Sequence, residues 1–177
     1  MELNGNYSMF REIQKFRQLW VWILVLFVGA IAWYGGVQQI VLKKPFGNNP
    51  APDAIMIMLW VIFGGLFPVF FFSLKLVTEV RSDGLYIRFF PLLFHEHKIS
   101  FEEIKSYEIR TYSAMKEYGG YGIRYGKNGK AYNISGNRGV QFEFLDGKRL
   151  MVGSQRSEEF IMAFESASGL RRKSSSS

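Results

Sequence analysis

The chain has 177 residues, the length of one domain with an appendage. It contains no cysteine, which excludes a disulfide framework and a thiolate zinc site. The formal net charge is +7, with most of the excess from Lys75 onward, and such a balance suits an anionic surface.

Residues 1–18 form a polar lead segment carrying Arg11, Lys15 and Arg17. From Leu19 to Tyr34 there is no charged side chain, and a helix over Leu19–Leu42 is expected. At 1.5 Å per residue it would span about 36 Å, more than the hydrocarbon core of a bilayer needs. The apolar run continues past Ala30-Ile31-Ala32, which argues against a cleaved signal peptide ending there. Trp20 and Trp22 near one end, and Trp33 and Tyr34 toward the other, are placed like interfacial aromatics.

Residues 43–53 are rich in Pro, Gly and Asn and read as a short turn, so the next helix should run antiparallel. That second helix is expected over residues 54–76, with Trp60, Gly64-Gly65 and a bend at Pro68. Ala32 and Gly36 form a small-residue face expected to pack on Gly64 or Gly65. Arg11, Lys15 and Arg17 precede the pair and Lys75 and Arg81 follow it, against only Lys43 and Lys44 in the turn. The excess of basic residues at the outer ends predicts cytoplasmic termini and an extracytoplasmic turn.

From Leu76 onward the apolar period changes to two. Asp83-Gly84, Asn128-Gly129 and Asp146-Gly147 separate short alternating runs, the pattern of an antiparallel meander. Leu85, Ile87 and Phe89 should share one buried face, as should Tyr107, Ile109 and Thr111, and Val140, Phe142 and Phe144. A closing helix follows, with Ser154 or Ser157 as its cap, Phe160, Ile161 and Phe164 as its apolar stripe, and Gly169 as its stop. Residues 169–177, with Arg171-Arg172-Lys173 and four serines, read as a disordered tail.

Four segments add to this layout. Gly119-Gly120-Tyr121-Gly122-Ile123-Arg124 and Ala131-Tyr132-Asn133-Ile134-Ser135-Gly136-Asn137-Arg138-Gly139-Val140 precede Asp146-Gly147-Lys148-Arg149 and Gly153-Ser154-Gln155-Arg156. Together they resemble the pleckstrin-homology-like (PH-like) domain of small prokaryotic membrane proteins that carry a two-helix anchor. Ser157 stands where that pattern has Pro. The resemblance implies an α+β membrane protein: a two-helix transmembrane hairpin over residues 19–76, then a PH-like antiparallel β-barrel or sandwich over residues 77–168 with a C-terminal capping helix. It implies a multi-pass protein of the prokaryotic cytoplasmic membrane and no established reaction.

Enzymatic signatures are weak. His95 and His97 at i, i+2 lack a further metal ligand on their face. Ser113-Ala114-Met115-Lys116 spells a serine–lysine acylase motif without its partner motifs. Gly120, Gly122 and Gly126 open a strand rather than a helix, so they read as hairpin and bulge positions. No catalysis, cofactor or metal is expected.

The basic stretch from Arg110 to Arg138 is the candidate contact region. Arg124, Lys127, Lys130 and Arg138 are its proposed lipid or partner contacts, interleaved with Tyr112, Tyr118, Tyr121, Tyr125 and Tyr132. The expected function is a membrane-anchored interaction module that meets anionic lipid or a protein partner. The alternative is a structural subunit of a homo-oligomeric membrane assembly. Nucleic acid is not an expected partner.

Overall fold

The computed structural model describes residues 8–169. Residues 1–7 and the expected tail from residue 170 onward, with Arg171–Lys173, lie outside the described residues. The chain divides into a helical unit, Phe16–Leu74, and a sheet unit built from residues up to Lys15 and from Lys75 onward.

The helical unit holds α1, Leu19–Val41, and α2, Asp53–Ser73, and each is long and apolar enough to cross a membrane. Both contain one widened π turn. In α2 it covers Ile62–Leu66, ending two residues before Pro68, and the Phe67 N–H reaches back to the Ile62 carbonyl. Proline has no N–H and crowds the preceding turn, so widening the helix there accommodates the ring. In α1 it covers Val37–Val41, and the Leu42 N–H donates to the Val37 carbonyl over 3.0 Å. The helix ends at Val41, one residue before the expected Leu42, and Lys43 then takes a left-handed φ of 55° that turns the chain away.

Small residues pair the helices, but not by the expected contact of Ala32 and Gly36 with Gly64 or Gly65. A side chain at Gly36 would strike the Trp60 indole, so Gly36 makes room for that ring. Trp33 donates its Nε1–H to the Gly64 carbonyl over 3.0 Å and packs edge-on against Trp60 at 5.2 Å. Trp33, itself 54% exposed, ties the two helices through that bond. Gln39 fixes the turn by donating to the Ala51 carbonyl at 2.7 Å and the Asp53 carboxylate at 2.9 Å.

The second helix ends at Ser73, and Leu74 is already extended. Leu76, expected as helix, instead lies in a strand, where Leu76, Thr78 and Val80 point to one sheet face and are fully buried.

The sheet unit begins with a strand absent from the sequence reading: β1, Ser8–Lys15. It pairs antiparallel with β2, Lys75–Arg81, which pairs with β3, Gly84–Phe90, and that with the short β4, His97–Ile99. These four strands make one sheet in chain order. The whole helical unit is thus inserted between two neighbouring strands. A 3₁₀ turn, Phe101–Glu103, leads into a second sheet. Its strands are β5 (Ile104–Thr111), β6 (Gly122–Gly126), β7 (Gly129–Asn133), β8 (Arg138–Phe144) and β9 (Arg149–Gly153), ordered β5-β8-β9-β7-β6.

Two features differ from a closed antiparallel meander. The β8–β9 hairpin folds back so that β9 lies between β8 and β7, and β7 and β9 therefore pair parallel, Lys130 opposite Leu150. Moreover, the chain leaves the first sheet through the 3₁₀ turn and starts a new ladder, giving two separate sheets and no closed barrel among the described residues.

The expected inward rows hold in part. Leu85, Ile87, Phe89, Val140 and Phe142 are fully buried and Tyr107 is buried, whereas Ile109 and Phe144 are half-buried and Thr111, at the end of β5, is exposed. A short helix, α3 (Ala114–Tyr118), lies between β5 and β6, and helix α4, Ser157–Ser168, closes the core. Phe160 stacks on Phe10 at 5.2 Å and touches Phe142 at 5.9 Å, and Phe164 packs on Phe101, Tyr107 and Phe142. Each such aromatic contributes about 1.5–3 kcal/mol by leaving water. Neither Ser154 nor Ser157 caps α4 with its side chain. The Ser157 hydroxyl donates to the Ser154 carbonyl, and Gly169, at φ +66°, ends the helix as expected.

Candidate functional site

The basic stretch is built on the β6–β7 hairpin, where β6 is an edge strand. Asn128-Gly129 makes the turn, with Gly129 at φ +94° and its Cα against the Arg149 carbonyl, where no side chain fits. Gly126 has no room for a side chain either, because the Glu117 carbonyl lies over it.

Helix α3, Ala114–Tyr118, braces this hairpin. Ser113 caps it, its Oγ accepting from the Lys116 N–H at 3.3 Å. That is the role of the apparent serine–lysine motif: the serine meets the lysine backbone, an N-terminal cap rather than a nucleophile. Glu117 answers by accepting from the Ser113 N–H at 2.8 Å. The same carboxylate accepts from Arg110 at 2.7 Å and from the Asn128 amide at 3.0 Å. The Ser113 N–H, the Asn128 amide and the Arg110 charge hold its pKa below the ordinary carboxylate value against an opposing burial effect. Glu117 thereby ties β5, α3 and the β6–β7 turn together.

The four expected contact residues occupy different positions on this frame. Arg124 pairs with Ala131 across the hairpin, on the face covered by α3, and is exposed with its Nε donating to the Tyr121 carbonyl. Lys127 sits exposed at the turn. Lys130 pairs with Tyr125 on the opposite face, where its ammonium lies 4.6 Å from the Tyr132 ring centre and 5.7 Å from that of Tyr125. Burial alone would lower its pKa, but Tyr132 and Tyr125 outweigh that and leave it raised. Arg138 starts β8, three strands from β6, and is ion-paired with Glu158 of α4 at 2.6 Å. The hairpin therefore gathers Arg124, Lys127 and Lys130, and separates Arg138 from them.

The interleaved tyrosines are mostly structural. Tyr112, Tyr118 and Tyr132 are buried, and burial pushes the Tyr112 phenol up to about 12. Tyr112 and Tyr118 pack edge-on at 5.9 Å beneath α3 with Ala131 and Met151. Tyr125 alone of the five is prominently exposed, at 76%. The contact-ready part of the region is thus Arg124, Tyr125 and Lys127, on an edge hairpin held rigid by Glu117.

Other candidate chemistry disperses. His97 lies in β4 opposite Ile87, while His95 precedes the strand, so they do not share a strand face. Burial, then the Lys130 charge, lower the His97 pKa. No group of three His, Cys, Asp or Glu side chains suited to a metal occurs among the described residues.

The architecture is that of a two-sheet domain carrying two long apolar helices between its first and second strands. The chain belongs to DUF6141, a family of unknown function, whose family model matches residues 1–170. No curated protein matches the chain.

Proposed function

We propose that the protein is a membrane-anchored interaction module. In this reading α1 and α2 cross the cytoplasmic membrane, with the turn between them outside and the sheet unit at the cytoplasmic face. Support comes from what the helices leave uncovered. Leu19, Leu26, Phe27, Leu66, Val69 and Phe72 each expose more than half of their surface. A bilayer covers such faces, whereas water disfavours them. The distribution of Lys and Arg about the helices supports the orientation.

The sheet unit is then a PH-like module without catalytic activity. Its two sheets closed by a C-terminal helix support that likeness. The observation that carries the contact role is the braced edge hairpin presenting Arg124, Tyr125 and Lys127 to solvent. Such a basic, aromatic, pre-ordered edge suits anionic head groups or an acidic protein surface. Tethering raises the effective concentration, so individually weak contacts suffice.

A photo-crosslinking side chain in place of Tyr125, in the full chain in native membranes, tests this. The reading expects a lipid or single-protein adduct that is lost when Arg124→Glu and Lys127→Glu are added. An adduct that survives both reversals contradicts it, and an adduct to a second copy favours a homo-oligomeric assembly instead.

A further inference from the structure

We propose that the loop between β3 and β4 inserts into the interfacial layer of the membrane and gives the sheet unit a second, reversible lipid contact. This rests on the reading that α1 and α2 span the bilayer. Strand register fixes where the loop lies within the sheet unit. Lys15, the last residue of β1, stands opposite Lys75, the first of β2, and Lys75 stands opposite Phe90, the last of β3. The chain leaves the sheet unit at Lys15 and returns at Lys75. The β3–β4 loop therefore projects from the same end of the sheet through which the chain passes to and from the apolar helices.

The loop has the chemistry of an interfacial anchor. Leu92 and Phe94 are 51% and 70% exposed. The tip is ordered: the Leu93 N–H donates to the Phe89 carbonyl at 2.6 Å, and the Phe94 ring packs edge-on against Phe90 at 5.7 Å. The Lys75 ammonium lies 5.3 Å from the centre of the Phe90 ring. Basic residues predominate around this apolar tip. The last three registers of β1, β2 and β3 contain Lys15, Lys75 and Arg88 and no acidic residue, and the loop's own Glu96 is ion-paired with Arg81. Exposed apolar side chains rimmed by basic ones are what an interfacial, non-spanning contact requires. A protein partner would have to supply both an apolar pocket and an acidic rim at the one end of the sheet where the chain runs to its anchor.

The chain has no cysteine, so single-cysteine variants can be labelled cleanly. The test uses the full chain in phosphatidylcholine–phosphatidylglycerol vesicles, labelled with an environment-sensitive dye at Phe94→Cys or Leu92→Cys. Reference labels are at Ser82→Cys, in the opposite turn of the β2–β3 hairpin, about 20 Å away along the strands, and at Ile23→Cys in α1. Acyl-chain-brominated lipid should quench both loop labels and the Ile23→Cys label, and leave the Ser82→Cys label unquenched. Loop labels quenched no more than Ser82→Cys, with Ile23→Cys quenched, overturn the loop contact and leave the anchor reading standing. An unquenched Ile23→Cys label overturns the anchor reading and this inference with it.

Discussion

The carboxylate of Glu12, on the first strand, accepts a hydrogen bond of 2.6 Å from the hydroxyl of Ser154, just before the last helix. Its other oxygen accepts from the Gln155 N–H at 2.9 Å, and Gln14 donates to the Gly153 carbonyl at 2.7 Å. Both side chains are buried. The start of the sheet unit is thereby bound to its end, and β1 is an integral strand rather than a lead-in to the helices.

Glu12→Ala should therefore destabilise the protein by about 2–3 kcal/mol, because it leaves a buried donor and a part-buried one without an acceptor. Glu12→Gln, which keeps an acceptor oxygen, should cost less. Thermal unfolding in detergent micelles, followed by the near-ultraviolet signal of the aromatic core, measures both. Equal losses would show that the carboxylate's hydrogen bonds matter less than its packing.

This strand also shows where sequence reading stops. The paired helices, the three Asp-Gly and Asn-Gly turns and the inward residues Leu85, Ile87, Phe89, Val140 and Phe142 were legible because apolar periodicity and turn chemistry are local signals. In β1 the inward row is Phe10, Glu12 and Gln14, while Met9 and Ile13 are half exposed. Its polar residues face inward to partners more than 130 positions away, so the usual alternation is inverted. The parallel pairing of β7 with β9 is equally non-local. In the contact region, charge and aromatic spacing drew attention to the right hairpin. They could not show that Arg138 lies three strands from β6 or that Tyr112, Tyr118 and Tyr132 are core, since both depend on sheet order.

Glu117 gives a pH signature. Its folded pKa is depressed, so it contributes stability above its unfolded pKa, and that contribution is lost as pH falls through the folded value. At neutral pH Glu117→Gln should destabilise the protein by about 1–2 kcal/mol, since the hydrogen bonds from Ser113, Arg110 and Asn128 lose their charged acceptor. As pH falls below the ordinary carboxylate value of about 4.3 the gap between variant and parent should narrow, and it should close once pH has passed the depressed folded value. Paired unfolding curves across pH read this directly, and a gap constant from neutral to acid would contradict the assignment.

Gly36 and Trp60 set the fit of the two helices. Gly36→Leu forces the indole aside and should cost about 1–3 kcal/mol by overpacking. Adding Trp60→Leu removes the obstacle, so the double variant should be more stable than the sum of the single losses. A double-mutant cycle by thermal unfolding in micelles measures that coupling, and strict additivity would mean that the two positions do not meet.

The central claim is that α1 and α2 anchor the sheet unit in a membrane with their connecting turn on the far side. Single cysteines at Gly47→Cys in the turn and Ser82→Cys in the sheet unit, probed in intact cells with a membrane-impermeant thiol reagent, test it most directly. The account predicts that Gly47→Cys is labelled in intact cells, that Ser82→Cys is labelled only after the cells are opened, and that both variants stay in the membrane pellet through alkaline carbonate extraction. Release into the carbonate supernatant, or labelling of both positions from the same side, would contradict it.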